Sequence, residues 1–273
     1  MNLIFNESLL DDFIDNKLDE LINDEVFYIT IFSRAKYLSH QEVEFYFKNT
    51  KYRNTIKLNS KAIKSKKSFK QDLIELISNA RLKPIKGNYD YTYPIESLVC
   101  FISVNKKSMR KALMRFEAEI NLKFYNLTSS VISNNNNAIS ENYKQIKNLD
   151  YSLDNFIGSK KSNSNDSPNI DIDFDVKHTS DNRLGLRIYK EFKRNLKDAN
   201  VKFYAINTAG GYHVVINSNG LKSNNKINFA NWVKKFKKYT RENEKEIVIN
   251  TIQMIPIPGV YQGGFKVTFD EEV

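Results

Sequence analysis

Ile170-Asp171-Ile172-Asp173-Phe174-Asp175-Val176 alternates strictly between apolar and acidic residues. Successive side chains of a strand point to opposite faces. The stretch therefore reads as a strand with Ile170, Ile172, Phe174 and Val176 in a core and Asp171, Asp173 and Asp175 on the other face. Neighbours on one face stand about 6.6 Å apart along a strand. Side chains that lean together can grip one divalent cation, or a pair about 3.5–4 Å apart. Three carboxylates in a row repel one another, and a hard cation with oxygen ligands removes that cost. The plain alternative is a solvent-facing strand whose acids are simply wet. Against it, Asp is depleted from strands, and three on one face stand out in a chain of net charge +10.

Outward from this strand the pattern continues as a helix over 182–200, strands over 201–206 and 212–216, a helix over 228–243 and a strand from 246. The order β-α-β-β-α-β predicts an antiparallel sheet with helices on one face, an RRM-like or ferredoxin-like unit. Towards the N-terminus, Leu9, Leu10, Phe13, Leu18, Leu21 and Ile22 fit a helical stripe. Residues 26–32 and 98–104 read as strands, 69–82 as a helix, and 140–157 as another. A basic helix is expected from Ser108. Asn134-Asn135-Asn136-Asn137 and the Ser-, Asn- and Lys-rich stretch 158–169 read as loops or disordered insertions. The fold expected is α+β. Residues 1–157 form an α/β half with a low-complexity insertion near 130–140, 158–168 a polar linker or loop, and 169–273 the RRM-like half.

Composition narrows the classes. With 41% hydrophobic and 27% charged residues in 273, the chain is an ordinary globular sequence. Nothing approaches the roughly 18 apolar residues of a membrane span, and the first residues lack the basic flank and apolar core of a signal peptide. Cys100 is the only cysteine, which excludes a disulfide framework or a cysteine zinc site. A cytoplasmic setting is expected. The excess of 42 Lys+Arg over 32 Asp+Glu attracts phosphate, although Lys- and Asn-rich usage also follows from an AT-rich genome.

Glycine is scarce and late: of nine, none precedes Gly87 and six fall between Gly210 and Gly264. Two adjacent ones sit in Asn207-Thr208-Ala209-Gly210-Gly211-Tyr212-His213, where a small-residue turn lets backbone N–H groups approach phosphate oxygens. His213, one of three histidines, starts the next strand and could donate to a triphosphate; the alternative is a structural histidine.

An acid-x-acid strand, a helix, a strand and a small-residue turn ending in His together resemble the first two motifs of the archaeo-eukaryotic primase superfamily, nearest its viral and plasmid primase-polymerases. The resemblance spans about residues 165–273. It implies a primase-type catalytic domain whose RRM-like palm holds Mg²⁺ or Mn²⁺ on Asp171 and Asp173; Asp175, on the same face of the strand, is a further candidate metal ligand. It implies nucleotide binding by Ala209, Gly210, Gly211 and His213, with Gly211 and His213 matching the family's small-x-His pattern. The partners implied are a single-stranded DNA template and NTP or dNTP. The chain lacks a G-x-x-x-x-G-K-[ST] loop, so a helicase or other replication partner would be a separate chain. The family's third motif, a hydrophobic residue and Asp followed by a Pro-Gly loop, is similar to the run from Ile247 to Phe265, with its Pro256-Ile257-Pro258-Gly259 and Gln262-Gly263-Gly264. Asn250 stands where the third catalytic acid is expected. An amide oxygen there binds hard cations more weakly than a carboxylate.

Basic helix faces are candidates for nucleic acid: Lys106, Lys107 and Arg110; Arg187, Lys190, Lys193, Arg194 and Lys197; and Lys234, Lys235 and Lys238. A charged run is also simply a solvated face. Three other readings stay open: a catalytically impaired primase-like subunit that binds DNA or nucleotide, favoured by Asn250; a metal-dependent nuclease; and an RRM-like binding module.

Overall fold

The computed structural model describes residues 3–47, 54–82, 92–147, 152–164, 169–176, 183–217, 231, 234 and 247–271. In chain order its elements are α1 (Glu7–Asp12), β1 (Glu25–Arg34), α2 (His40–Phe47), β2 (Thr55–Ile63), α3 (Lys66–Arg81), β3 (Leu98–Ser103) and β4 (Lys107–Ser108). Next come α4 (Met109–Ile132), α5 (Asn136–Lys147), α6 (Ser152–Gly158), β5 (Asn169–Val176), α7 (Arg183–Asp198), β6 (Phe203–Thr208) and β7 (Gly211–Asn217). The chain closes with β8 (Ile247–Ile252), β9 (Met254–Pro256), β10 (Tyr261–Gln262), β11 (Phe265–Lys266) and β12 (Thr268–Phe269). The class is α+β, with two antiparallel sheets. No helix among the described residues is long and apolar enough to cross a membrane.

The first sheet runs β11-β10-β3-β1-β2, with β4 on β1 and β9 on β3. β1 is buried on both faces over its first seven residues. Phe27, Ile29 and Ile31 enter the main core with Phe69, Leu73 and Leu76 of α3, while Val26 and Tyr28 meet Ala112 and Ile157 on the other side. Ser65 caps α3 by accepting the Lys67 N–H, and Ser108 caps α4 by accepting that of Lys111. Both satisfy first-turn donors that a helix leaves unpaired.

In the second sheet the order is β12-β6-β7-β5-β8. β5 and β6, linked by α7, are both antiparallel to β7 between them, the split βαβ arrangement. Ile172, Phe174 and Val176 pack under Ile188, Phe192 and Leu196 of α7, as the alternation at 170–176 predicts. The opposite face is covered over part of its length, while Asp175 at its end is exposed. Its Ile206 and Val215 belong to the main core of the first sheet.

Several local expectations change. The stripe from Leu9 to Ile22 is not one helix: α1 ends at Asp12, a π-helical turn covers Phe13–Lys17, and Leu18 is extended. Leu10, Phe13, Ile14 and Leu18 are buried, but Ile22 is 53% exposed, because the chain must turn to enter β1. The helix over 140–157 is two, α5 and α6. Asn134-Asn137 spans the turn between α4 and α5. Asn134 takes φ 55°, and the Asn135 carboxamide oxygen accepts the Ala138 N–H at 3.1 Å, so the tract turns α4 into α5 and caps it. Within 158–168, Lys160–Ser162 forms a 3-10 turn and Asn163 bridges to Lys107.

The C-terminal segment crosses between sheets. After β8 in the second sheet, β9 and β10 pair with β3 of the first, and β12 returns to β6. The Pro-Ile-Pro-Gly and Gln-Gly-Gly run therefore stitches the halves together. The predicted helix 228–243 lies outside the described residues apart from Asn231 and Lys234.

Candidate functional site

Cross-strand pairing gathers the motif residues into rows. Asp173 pairs with His213 of β7 on one side and with Asn250 of β8 on the other; Ile206 of β6 continues the row. Asp171 pairs with Val215, and Val215 with Tyr204. Paired residues share a face, so the acids, His213 and the main-core contacts Val215 and Ile206 all lie between the two sheets.

His213 sits between two carboxylates. Its Nδ1 is 3.1 Å from Asp171 Oδ2 and its Nε2 3.6 Å from Asp173 Oδ1. Asp171 is 1% exposed, and its Oδ1 is buried without a hydrogen-bond partner among the described residues. Burial pushes the Asp171 carboxyl up to about 6, against the pull of His213. Burial likewise raises Asp173. For His213, burial disfavours the charged ring, but the charge and hydrogen bond of Asp171, with Asp173 and Asp175 behind, raise its pKa overall. The Asp171–His213 pair thus keeps a proton at pH values where a free imidazole has lost it.

Asp173, Asp175 and His213 open onto a cavity of about 400 Å³. The first sheet supplies much of its wall: Phe32 and Arg34 of β1, Lys36 just beyond it, Thr55 of β2 and Phe101 of β3. Phe32 and Phe101 meet edge to face, with centroids 5.9 Å apart. Neither Arg34 nor Lys36 makes an ion pair with a described residue. Burial and the like charge of Arg34 lower the Lys36 pKa, offset only in part by Asp175 and Asp173.

The two glycines of the turn do different things. A Cβ on Gly211, at φ +150°, would lie 2.0 Å from the Phe174 carbonyl oxygen, so this glycine serves the close approach of β7 to β5. A Cβ on Gly210 would lie 3.2 Å from Asp175 Oδ1, beside the cavity that Gly210 lines. The Ala209 N–H is already committed, donating to Gln262 Oε1 at 3.0 Å.

No protein-family model, no curated protein and no solved structure matches this chain.

For the expected metal ligands the arrangement is specific. Asp171 is withdrawn from the cavity and held by His213, whereas Asp173 and Asp175 face the cavity. Among the described residues no group of three or more His, Cys, Asp or Glu side chains is arranged to hold a metal ion. Asp173 and Asp175 do fit the way Mg²⁺ is bound, through one or two carboxylates plus substrate phosphates rather than a closed protein cage.

The basic faces divide. Lys106 and Lys107 are 7% and 1% exposed and are not on an open face. Lys106 pairs with Glu25 at 2.6 Å, and Lys107 donates to Asn163 Oδ1 at 2.6 Å. Following β4, whose residues turn inward on β1, only Arg110 is exposed. On α7, Arg187, Lys190, Arg194 and Lys197 are exposed, but Lys193 is buried against Asp270 at 2.9 Å. Lys234 is exposed; Lys235 and Lys238 lie outside the described residues. Sequence reading missed Arg34, Lys36, Phe32 and Phe101, and noticed Gln262 only as part of the Gln-Gly-Gly run. Nothing in the local pattern places these side chains at the site, because only the pairing of the sheets brings them to the acidic strand.

Proposed function

We propose that the chain is a nucleotidyltransferase of the primase-polymerase type, which builds RNA or DNA on a single-stranded DNA template from nucleoside triphosphates. In this reading the second sheet is the RRM-like palm of an archaeo-eukaryotic primase-type domain. The observation that carries it is the shared cavity, where the carboxylates Asp173 and Asp175 meet the cations Arg34 and Lys36. Facing charges of opposite sign suit a polyphosphate with its counter-ion, whereas acids alone would suit only a cation. Asp173 and Asp175 would hold Mg²⁺ or Mn²⁺, whose chemistry is to neutralise the departing pyrophosphate and acidify the attacking hydroxyl. His213 compensates the charge of Asp171 and orients Asp173 from behind. Arg34 and Lys36 attract and orient the phosphates. Phe32 and Phe101 offer an apolar wall for a base. The exposed cations of α7, with Arg110, are the candidates for the template backbone.

Asn250 favours a second reading, a catalytically impaired subunit that binds nucleotide or DNA. It stands in register with Asp173, where a carboxylate would add charge to the metal site. One assay separates these: single-stranded template, Mn²⁺ and labelled nucleotides, with products resolved by length. The reading expects extension products that vanish in Asp173→Asn and increase in Asn250→Asp. Nucleotide binding without products in wild type would establish the impaired subunit. Template cleavage without added nucleotides would replace both with a nuclease.

A further inference from the structure

We propose that Arg34, Lys36 and Gln262 form a polyphosphate subsite on the first-sheet wall of the cavity, so that the triphosphate is held there rather than by His213. This rests on the nucleotide reading above.

Gln262 is the key. It belongs to β10, on a strand of the first sheet, and is 4% exposed, yet it lines the cavity and reaches the turn of the second sheet. The Ala209 N–H can only donate, so the atom 3.0 Å from it must be the carboxamide oxygen. Nε2 then points away from Ala209 with two N–H donors, which no described residue accepts. With its oxygen held by Ala209, the amide offers its donors to the cavity it lines.

The neighbours supply the charge. Arg34 and Lys36 line the same cavity without a direct ion pair to a described residue, and two like charges brought together attract an anion. Lys36 lies 4.0 Å from the position a Cβ on Gly210 would take, which puts it beside the Ala209–Gly210 turn that Gln262 holds. His213, by contrast, is held by Asp171 through Nδ1 at 3.1 Å and has Asp173 3.6 Å from Nε2, so a phosphate brought to this ring would meet two carboxylates. The subsite thus combines two cations with one oriented neutral donor, and an anion of several oxygens satisfies all three.

The probe is inorganic triphosphate, titrated calorimetrically without divalent ions and then with Mn²⁺. Amide exchange at Ala209 is followed by NMR in each variant. In Gln262→Glu a carboxylate oxygen can still accept from Ala209, but the donors are gone and a negative charge faces the ligand. Affinity should drop about tenfold or more, the scale of one charge-assisted hydrogen bond, with the Ala209 amide still protected. Lys36→Gln, at a position that is exposed and outside the core, should weaken binding by about the same factor and guards against a folding failure of the first variant. Wild-type affinity in both variants overturns the subsite while leaving the nucleotide reading intact. Loss of Ala209 protection together with loss of binding in Gln262→Glu, with Lys36→Gln unaffected, reduces Gln262 to a structural clamp and also overturns it. If wild type binds neither triphosphate nor nucleotide, with or without Mn²⁺, the nucleotide reading itself fails.

Discussion

The two sheets each bury charge, and they do so in opposite ways. On the first, Lys106 reaches Glu25 at 2.6 Å and the Glu20 carbonyl at 3.0 Å, and Lys107 reaches the side chain of Asn163 and the Ser159 carbonyl. These cations tie β4 and the 3-10 turn to β1, and the described cavity that holds the acids does not touch them. On the second, Asp171 is equally buried but has one oxygen on His213 and the other without a partner among the described residues. Its neighbours Asp173 and Asp175 open to a cavity. A buried charge that is fully bonded is scaffold. One left partly unsatisfied beside a cavity costs stability that a folded protein otherwise avoids, which points to a role in binding.

The largest effect should come from breaking the first pair. Lys106→Ala leaves the Glu25 carboxylate with only the Ile22 N–H and the Ser164 hydroxyl, and removing one partner of a buried ion pair typically costs about 3–5 kcal/mol. Denaturant unfolding should register that loss, while nucleotide affinity of the remaining folded protein stays as in wild type. If affinity falls in step with activity at full stability, the scaffold assignment is wrong. Next comes Asp173→Asn. Template-directed synthesis should fall at least about a hundredfold, given the several kcal/mol a metal supplies to such transition states. The denaturation midpoint should barely move, because no described ion pair other than the 3.6 Å approach of His213 depends on Asp173. A large destabilisation without loss of synthesis would turn the acidic strand into scaffold.

A pH titration of stability in the metal-free protein sharpens the contrast by sign. Asp171, pushed up to about 6, and His213, also raised, have folded-state values above their unfolded ones. Their stabilising contribution is present below the unfolded values and is lost as pH rises through the folded ones. Lys107, pushed down to about 8 by burial, behaves oppositely: its contribution is full above the ordinary lysine value and is lost as pH falls through about 8. Denaturant midpoints should therefore decline from about pH 4 towards neutrality and recover above about pH 8. Asp171→Asn/His213→Asn should flatten the first limb and Lys107→Met the second. A profile unchanged by both variants would detach these groups from the stability of their sheets. The smallest effects belong to α7. Lys190→Ala and Arg194→Ala should each leave stability within about 0.5 kcal/mol and reduce the log–log salt slope of single-strand binding by about 0.7. An unchanged slope would take α7 off the template path.

Much of the second half was legible because strand periodicity is a local property. Ile172 and Phe174 had to face one way and Asp171 and Asp173 the other, whatever lay beyond, and the split βαβ order followed from the spacing of apolar runs. The N-terminal stripe was misread for the complementary reason. Leu18 and Phe13 are both buried, but burial at helical spacing does not require a continuous helix when the chain must turn into β1. Lys106 and Lys107 read as a solvated basic run because charge in a sequence carries no depth; β4 pairing turned them inward. The Pro-Ile-Pro-Gly and Gln-Gly-Gly segment was noticed as a motif, yet its strands belong to the first sheet, a partner 150 or so residues earlier that no local pattern names.

By itself, then, the sequence determined the alternation of the acidic strand, the helix that begins at Ser108 and the small-residue turn ahead of His213. These depend on backbone geometry and on residues a few positions apart. Only the tertiary structure decided that Asp171 is buried against a second sheet, that His213 lies between it and Asp173, and that Arg34, Lys36 and Gln262 complete the cavity. Those outcomes come from non-local strand pairing, in which contacts distant along the chain set the burial, and so the charge, of each side chain.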